Sequence, residues 1–337
     1  MIKNRLDMMN KKERIFYYDF LRAFAIIAVL LCHMDIFYGP LNTPLQVIAK
    51  YVLHDIGRMG VPIFLMISGA LLLNKDYDLS VFLKKRFTRI IYPFIFWVSI
   101  LVIGLYVFHE HSMIIPVIIG DFSVTWYFWT LIGIYLAIPI LNTFLKEYGE
   151  TGMKYFLIIW FVTMIFKTFN SYPLFTNFNL DFFAGYIGYP VLGYYLNNKK
   201  FNISDKKLYI ISIAALLISL GVYVYIDYAK LGLIELIYQN VPMIFIASSF
   251  FILIKSIDNM TSFEHIKNNA IGRIIFSISI CSYGMYFSHV MVLKALSIVN
   301  PHSNLLFLPM FIALIFLSWL PVYIVSKIPY LKMFSGV

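Results

Sequence analysis

RIFYYDFLRAFAIIAVLLCHMDIFY, residues 14–38, decides the reading of this chain. The run is long and apolar enough to cross about 30 Å of hydrocarbon as one helix. It nevertheless carries ionisable groups that a lipid-facing helix would shed. Asp19 and Arg22 sit where the chain enters the apolar run, and His33 and Asp35 sit towards its far end. Arg22 and His33 are eleven residues apart. At about 100° per residue this is three turns with about 20° left over, so both project from one face, about 16 Å apart along the axis. Ionisable groups at membrane depth are costly and are functional suspects by default. A cation near one end of a spanning helix and an imidazole well inside it, on one stripe, point to a polar path through the protein.

Composition extends this reading to the whole chain. Of 337 residues, 61% are hydrophobic and 13% are charged, and the mean hydropathy is +0.80. Soluble domains carry about 25% charged residues. The expectation is an all-α integral membrane protein, with one transmembrane domain over residues 1–337 and no room for a large soluble domain. The net charge of +10 is not a nucleic-acid signal, because the cations lie in short clusters between apolar runs, as the orientation rule for membrane proteins expects. The opening MIKNRLDMMNKKER is basic. The apolar run behind it is too long for a signal-peptide core and has no small-residue cleavage site, so no cleavage is expected. Cys32 and Cys281 both lie in apolar runs and read as packing residues.

Ten spanning segments are expected, at 16–38, 48–73, 89–108, 124–145, 154–170, 181–197, 208–228, 240–257, 274–297 and 304–327. With the amino terminus inside, only Lys50, Arg58, Lys167, Lys230 and Lys294 of the 27 Lys and Arg fall on the outer side or in outer helix halves. Arg22 lies at the inner end of the first helix and the rest lie inside. That bias supports an even helix number with both termini cytoplasmic. Two outer loops stand out. HEHSMIIPVIIGDFSVTW carries His109, Glu110, His111 and Asp121, and NSYPLFTNFNLD (170–181) carries aromatics and amides. Such groups hold sugars by stacking and hydrogen bonding; they also make up the aromatic belt of a membrane interface.

Three further stretches carry chemistry. In KDYDLSVFLKKRFTRIIYPF (75–94), Lys84, Lys85, Arg86 and Arg89 open the third helix. Arg86 and Arg89, three residues apart, are helix neighbours, and paired guanidinium forks suit the phosphate oxygens of a cytoplasmic nucleotide or coenzyme A. The same cations would also serve as orientation signals or anionic-lipid contacts. In GRMGVPIFLMISGALLL (57–73), Pro62 predicts a kink, Arg58 needs a partner, with Asp35 and Asp55 as candidates, and Ser68-Gly69 allows close helix packing or approach to a ligand. In SISICSYGMYFSHV (277–290), Ser282, Tyr286 and His289 share one helical stripe, either as a network holding helices together or as a site wall. A neutral, buried histidine such as His33 is suited to take a proton from a sugar hydroxyl attacking an acyl carbonyl.

Together these pieces resemble the acyltransferase 3 family, multi-spanning membrane acyltransferases that modify cell-surface glycans. The first helix is similar to that family's pattern of Arg or Lys, ten residues, then His, with Arg22 and His33 in place. Arg86 and Arg89 match its Arg-x-x-Arg, VPIFLMISGALLL (61–73) its Ser-Gly segment, TWYFWTLIGIYLAIPIL its fourth-helix motif with Trp126, Tyr135 and Pro139, and SYGMYFSHV its Ser-Tyr-Gly-x-Tyr-x-x-His. Many members carry a His two residues before that Trp; here the position is Val124, so its role would pass to another group such as Asp121. The esterase-like extracytoplasmic domain appended in many members is not expected here. The resemblance implies O-acyl transfer, most often O-acetylation, in a bacterial plasma membrane. The acyl group would pass from cytoplasmic acetyl-CoA or another acyl-CoA to a polysaccharide or lipid-linked sugar hydroxyl. His33 and Arg22 would be the catalytic residues, with His33 as base or acyl carrier. Arg86, Arg89, Lys85 and Ser68 would hold the donor, and Asp35, Asp121, Trp126, Tyr286 and His289 would form the acceptor side. No metal, prosthetic group or nucleic acid is expected; membrane lipid and a polysaccharide-synthesis complex are the implied surroundings. The competing readings are an exporter of a glycan or its precursor, lowered by the lack of matching broken helices in two halves, and a scaffold within such a complex.

Overall fold

The computed structural model describes residues 15–121, 124–168, 185–229, 240–260, 263–299 and 304–337, and among these the regular structure is helical throughout. Helix α1 (Phe16–Cys32) runs on into a 3-10 turn, His33–Phe37. Helices α2 (Pro44–Arg58) and α3 (Gly60–Leu72) come next, then α4 (Leu79–Val107), the short α5 (Ile114–Ile119) and α6 (Trp126–Thr168). After them come α7 (Gly188–Asn198), α8 (Asp205–Tyr228), α9 (Val241–Asn259), the short α10 (Glu264–Lys267), α11 (Ala270–Val299), α12 (Phe307–Lys327) and the short α13 (Lys332–Ser335).

Among the described residues, eight helical stretches are long and apolar enough to cross a membrane. One of them, α6, has 43 residues, about 64 Å at helical rise, twice what one crossing needs. It breaks at Gly149, whose φ of 55° and ψ of −138° suit a residue without Cβ. The expected segments 124–145 and 154–170 lie on either side of that break. The expected segment 181–197 begins among residues outside the described ones, and its described part is mostly α7.

The second span breaks at Met59, between α2 and α3, rather than at Pro62. Pro62 falls in the first turn of α3, where a helix has no internal partner for its N–H groups, so the missing donor costs little. Caps set the helix starts. Thr43 and Gln46 form a reciprocal capping box at α2. Asp78 accepts from Val81 N–H at 2.9 Å and Ser80 Oγ at 2.6 Å. The Ser80 hydroxyl and then the Val81 amide hold its carboxyl below the usual carboxylate range. That cap starts α4, the helix carrying Arg86 and Arg89.

Helix α1 packs against α2, α3 and α11, with Leu21, Ala25, Ile26 and Leu30 fully buried. Helices α3 and α7 cross at backbone contact: a Cβ on Gly69 would lie 1.8 Å from the Pro190 carbonyl oxygen, and one on Gly193 2.1 Å from that of Met66. Small residues are what permit such an approach in a membrane. Lys255 of α9 donates to the carbonyls of Leu196 (2.9 Å) and Asn197 (2.6 Å), meeting the free carbonyls at the end of α7. The Asn197 amide oxygen accepts from Tyr17 and from Tyr18 (2.7 Å) on α1. Helices α8 and α12 lie at the periphery and expose Leu217, Ile218, Leu308 and Ile312, a surface suited to hydrocarbon rather than water.

Candidate functional site

A cavity of about 730 Å³ opens between α1, α3, α4, α6 and α11, closed on one side by residues 332–337. Its lining includes Arg22 from α1, Ser68 from α3, Arg86 and Arg89 from α4, and Ser282 and Tyr286 from α11. Elements distant in sequence thus bring together Arg22, Arg86 and Arg89 with Ser282 and Tyr286 of the polar stripe. Along α11 the lining runs from Phe276 to Tyr286, about 15 Å at helical rise. Tyr127, Tyr135 and Tyr283 complete the polar wall. The Tyr283 hydroxyl donates to the Ile90 carbonyl at 3.1 Å, fixing α11 beside the arginine turn of α4.

The charge balance of this cavity is one-sided. Among the described residues, no Asp or Glu side chain lines it. Arg22 Nη1 lies 3.7 Å from Asp19 Oδ1; Asp19 is buried behind it and accepts from Ser279 Oγ at 2.8 Å. Arg86 and Arg89 make no ion pair among the described residues. The Arg86 guanidinium packs 5.7 Å from the Phe82 ring centre, and its buried Nε has no hydrogen-bond partner among the described residues. Arg86 is half-buried and Arg89 is exposed at the mouth; two like charges three residues apart on a helix repel, and an anion would offset that cost. Lys84 and Lys85, on the same turn, are exposed and do not line the cavity.

The cavity ends at Tyr127 and Tyr286, whose rings are 5.1 Å apart. The Tyr286 hydroxyl donates to the Val124 carbonyl at 2.7 Å. One turn further along α11 is His289, 5.9 Å from the Tyr286 ring and 5.2 Å from that of His33. The two histidines of the sequence reading thus form a pair just beyond the tyrosine wall. His289 is fully buried, and its Nδ1 meets the Met285 carbonyl at 3.2 Å. A carbonyl only accepts, so Nδ1 carries the hydrogen, and Nε2 keeps a lone pair with no partner among the described residues.

The remaining expected residues lie elsewhere. Asp35 is 3.5 Å from His54 and 4.0 Å from Lys50. Asp121 is exposed, and its N–H donates to the Pro116 carbonyl at 3.0 Å. Trp126 stands 5.3 Å from Tyr186, behind Tyr127. Arg58 meets Asp55 at 3.3 Å, as one candidate pairing expected, but its shorter contact is Asp227 on α8 at 2.8 Å, with Tyr223 at 3.1 Å. His54, Asp55 and Asp227 lie close enough to share a cation; Arg58 already supplies one, so the cluster is an ion-paired strut between α2 and α8. Glu110 pairs with Lys294, tying the loop after α4 to α11. The aromatic loop at 170–181 lies outside the described residues.

The fold and this cavity define an all-α, membrane-embedded protein with a basic chamber leading towards a histidine pair, His289 buried and His33 half-buried. The acyltransferase 3 family, an acyltransferase domain, matches residues 15–326, and the chain belongs to that family: it is a membrane acyltransferase. Among curated proteins and among solved structures, none matches significantly.

Proposed function

We propose that the protein is an O-acyltransferase, moving an acetyl or other short acyl group from cytoplasmic acyl-CoA to a hydroxyl of a cell-surface polysaccharide or its lipid-linked sugar precursor. The observation that carries this reading is the cavity, which three arginines line with no Asp or Glu side chain among its described lining residues. In this arrangement ten helices of one transmembrane domain cross the cell membrane, with both termini cytoplasmic. The donor enters at the arginine end. Arg86 and Arg89 hold its pyrophosphate, Ser68 and Arg22 line the way inward, and Lys85 attracts anionic donor and lipid headgroups from the surface.

The thioester is directed at the tyrosine wall. Rotation of Tyr286, releasing its hydrogen bond to the Val124 carbonyl, opens the chamber to the histidine pair. His33 takes the proton of the acceptor hydroxyl as that oxygen attacks the thioester carbonyl. The carbon–sulfur bond breaks, a carbon–oxygen bond forms, and the departing thiolate recovers the proton. His289 places its free Nε2 at the same spot, orienting the acceptor or His33. Asp35, Asp121 and Trp126 shape the acceptor's approach from outside.

Purified protein in liposomes tests the reading. Acetyl-CoA turnover with CoA release, lost in His33→Ala while CoA binding persists, is the expected result. Glycan flux without CoA release would replace the reading by export, and full acceptor acetylation by a well-folded His33→Ala variant would remove the base assignment.

A further inference from the structure

The cavity wall contains a fourth cation that comes from neither the arginine turn nor the first helix. Lys332, on α13, lines the same space as Arg22, Arg86 and Arg89. Its ammonium makes no ion pair among the described residues, and the residue is exposed at the rim.

The segment that carries it is seated specifically. Gly284 of α11 leaves room for it: a Cβ there would lie 2.2 Å from the Ser335 carbonyl oxygen. Phe334 packs 5.9 Å from both Tyr92 and Phe96 on α4. Ser335 is buried and donates to the Lys332 carbonyl at 2.6 Å, and the Val337 N–H donates back to Ser335 Oγ at 3.1 Å. Gly336, at φ 84°, turns the chain against Gly284. Residues 332–337 therefore form a strap along one side of the cavity, seated between Tyr92 and Phe96 of α4 and Gly284 of α11, with Lys332 lining the space beside it.

The order of groups in the donor assigns a partner to that charge. This step rests on the acyl-CoA reading of the cavity. With the thioester at the tyrosine wall and the pyrophosphate at Arg86 and Arg89, the adenosine and its ribose 3′-phosphate come last, at the rim. We infer that Lys332 is the residue that recognises the 3′-phosphate, so that the strap makes the enzyme selective for coenzyme A over donors lacking that group. Lysine suits the task as a flexible point charge meeting a phosphate at a partly solvated rim, where no bidentate geometry is imposed.

Equilibrium titration of the purified full chain with CoA and with 3′-dephospho-CoA tests this. The wild type should favour CoA by about fivefold, the scale of one partly exposed charge pair. Lys332→Ala should lower CoA affinity to that of 3′-dephospho-CoA and leave the latter unchanged, and Lys332→Arg should keep the preference. Added salt should erode the wild-type preference and have no such effect in Lys332→Ala. Equal loss for both ligands in Lys332→Ala, or an undiminished preference, would overturn the assignment while leaving the arginine cavity standing. Failure of the wild type to bind either ligand would overturn the cavity reading itself, and with it this assignment.

Discussion

Replacing Arg86 by alanine separates a ligand-binding arginine from a structural one. Arg86 stands three residues from Arg89 on one helix, and like charges at that spacing cost about 0.2–0.5 kcal/mol. Its buried Nε lacks a partner among the described residues, and a buried unsatisfied donor costs about 1–3 kcal/mol. Against these stands its contact with the Phe82 ring, worth about 0.5–1 kcal/mol. The ligand-free protein should therefore lose no stability in Arg86→Ala. Binding should change strongly, because a hydrogen bond between charged groups contributes about 1.5–3 kcal/mol, which is about 10- to 150-fold in Kd. Thermal melts with and without CoA read both quantities. At a CoA concentration of 100 Kd the wild type gains about 2.7 kcal/mol, whereas a variant bound 100-fold more weakly gains about 0.4 kcal/mol at the same concentration. A variant that melts well below wild type without CoA, yet binds CoA with unchanged affinity, would refute the phosphate role and make Arg86 a packing residue.

The same geometry carries further expectations. His33→Gln should lower acyl transfer by about 10²- to 10⁴-fold, the range for loss of a general base, with CoA affinity unchanged by calorimetry. Arg58→Ala removes the cation shared by the fully buried Asp55 and Asp227, leaving Asp55 with His54 at 3.8 Å, and should destabilise the protein by up to about 3–5 kcal/mol; denaturation of the detergent-solubilised protein checks this, and Asp55→Asn in the same background should restore part of the loss. Gly69→Val should abolish folded protein in fluorescence-detected size exclusion, because its Cβ would overlap the Pro190 carbonyl. Gly133→Ala, whose Cβ would meet nothing within 4 Å, should behave as wild type in the same assay. Asp78 has a lowered folded pKa, so its cap stabilises above its unfolded pKa and is lost as pH falls through the lower folded value. Asp78→Asn should keep a cap and remove that acid-side dependence of the melting temperature.

Legibility differed between parts of the chain. The spanning helices were readable because hydrocarbon admits so few backbone solutions that a long apolar run is close to a structural statement. The break of α6 at Gly149 fell between two expected segments, since length alone divides a 43-residue helix. The break at Met59 was displaced from Pro62 because a proline at a helix start costs little, whereas one inside a helix kinks it. Arg22, Arg86 and Arg89 stood out because guanidinium groups are conspicuous in apolar sequence. Asp227 as partner to Arg58, and Lys332 as a cavity cation, were not legible. Asp227 reaches Arg58 across 169 residues of chain, and Lys332 reaches the cavity only because its strap seats against Gly284.

The sequence by itself determined that this is a helical membrane protein, that polar groups lie along its first helix, and which motifs it shares with a family of acyltransferases. Hydropathy and helical periodicity are local properties, and they suffice for that. Only the tertiary structure decided which of those polar groups share a space. It gathered Arg22, Ser68, Arg86, Arg89 and Tyr286 around one cavity, paired His33 with His289 beyond a tyrosine wall, and left Asp121 on the surface. The reason is that helix packing is set by side-chain shape and by close approach at residues such as Gly69 and Gly284. Those contacts join segments that no sequence window contains.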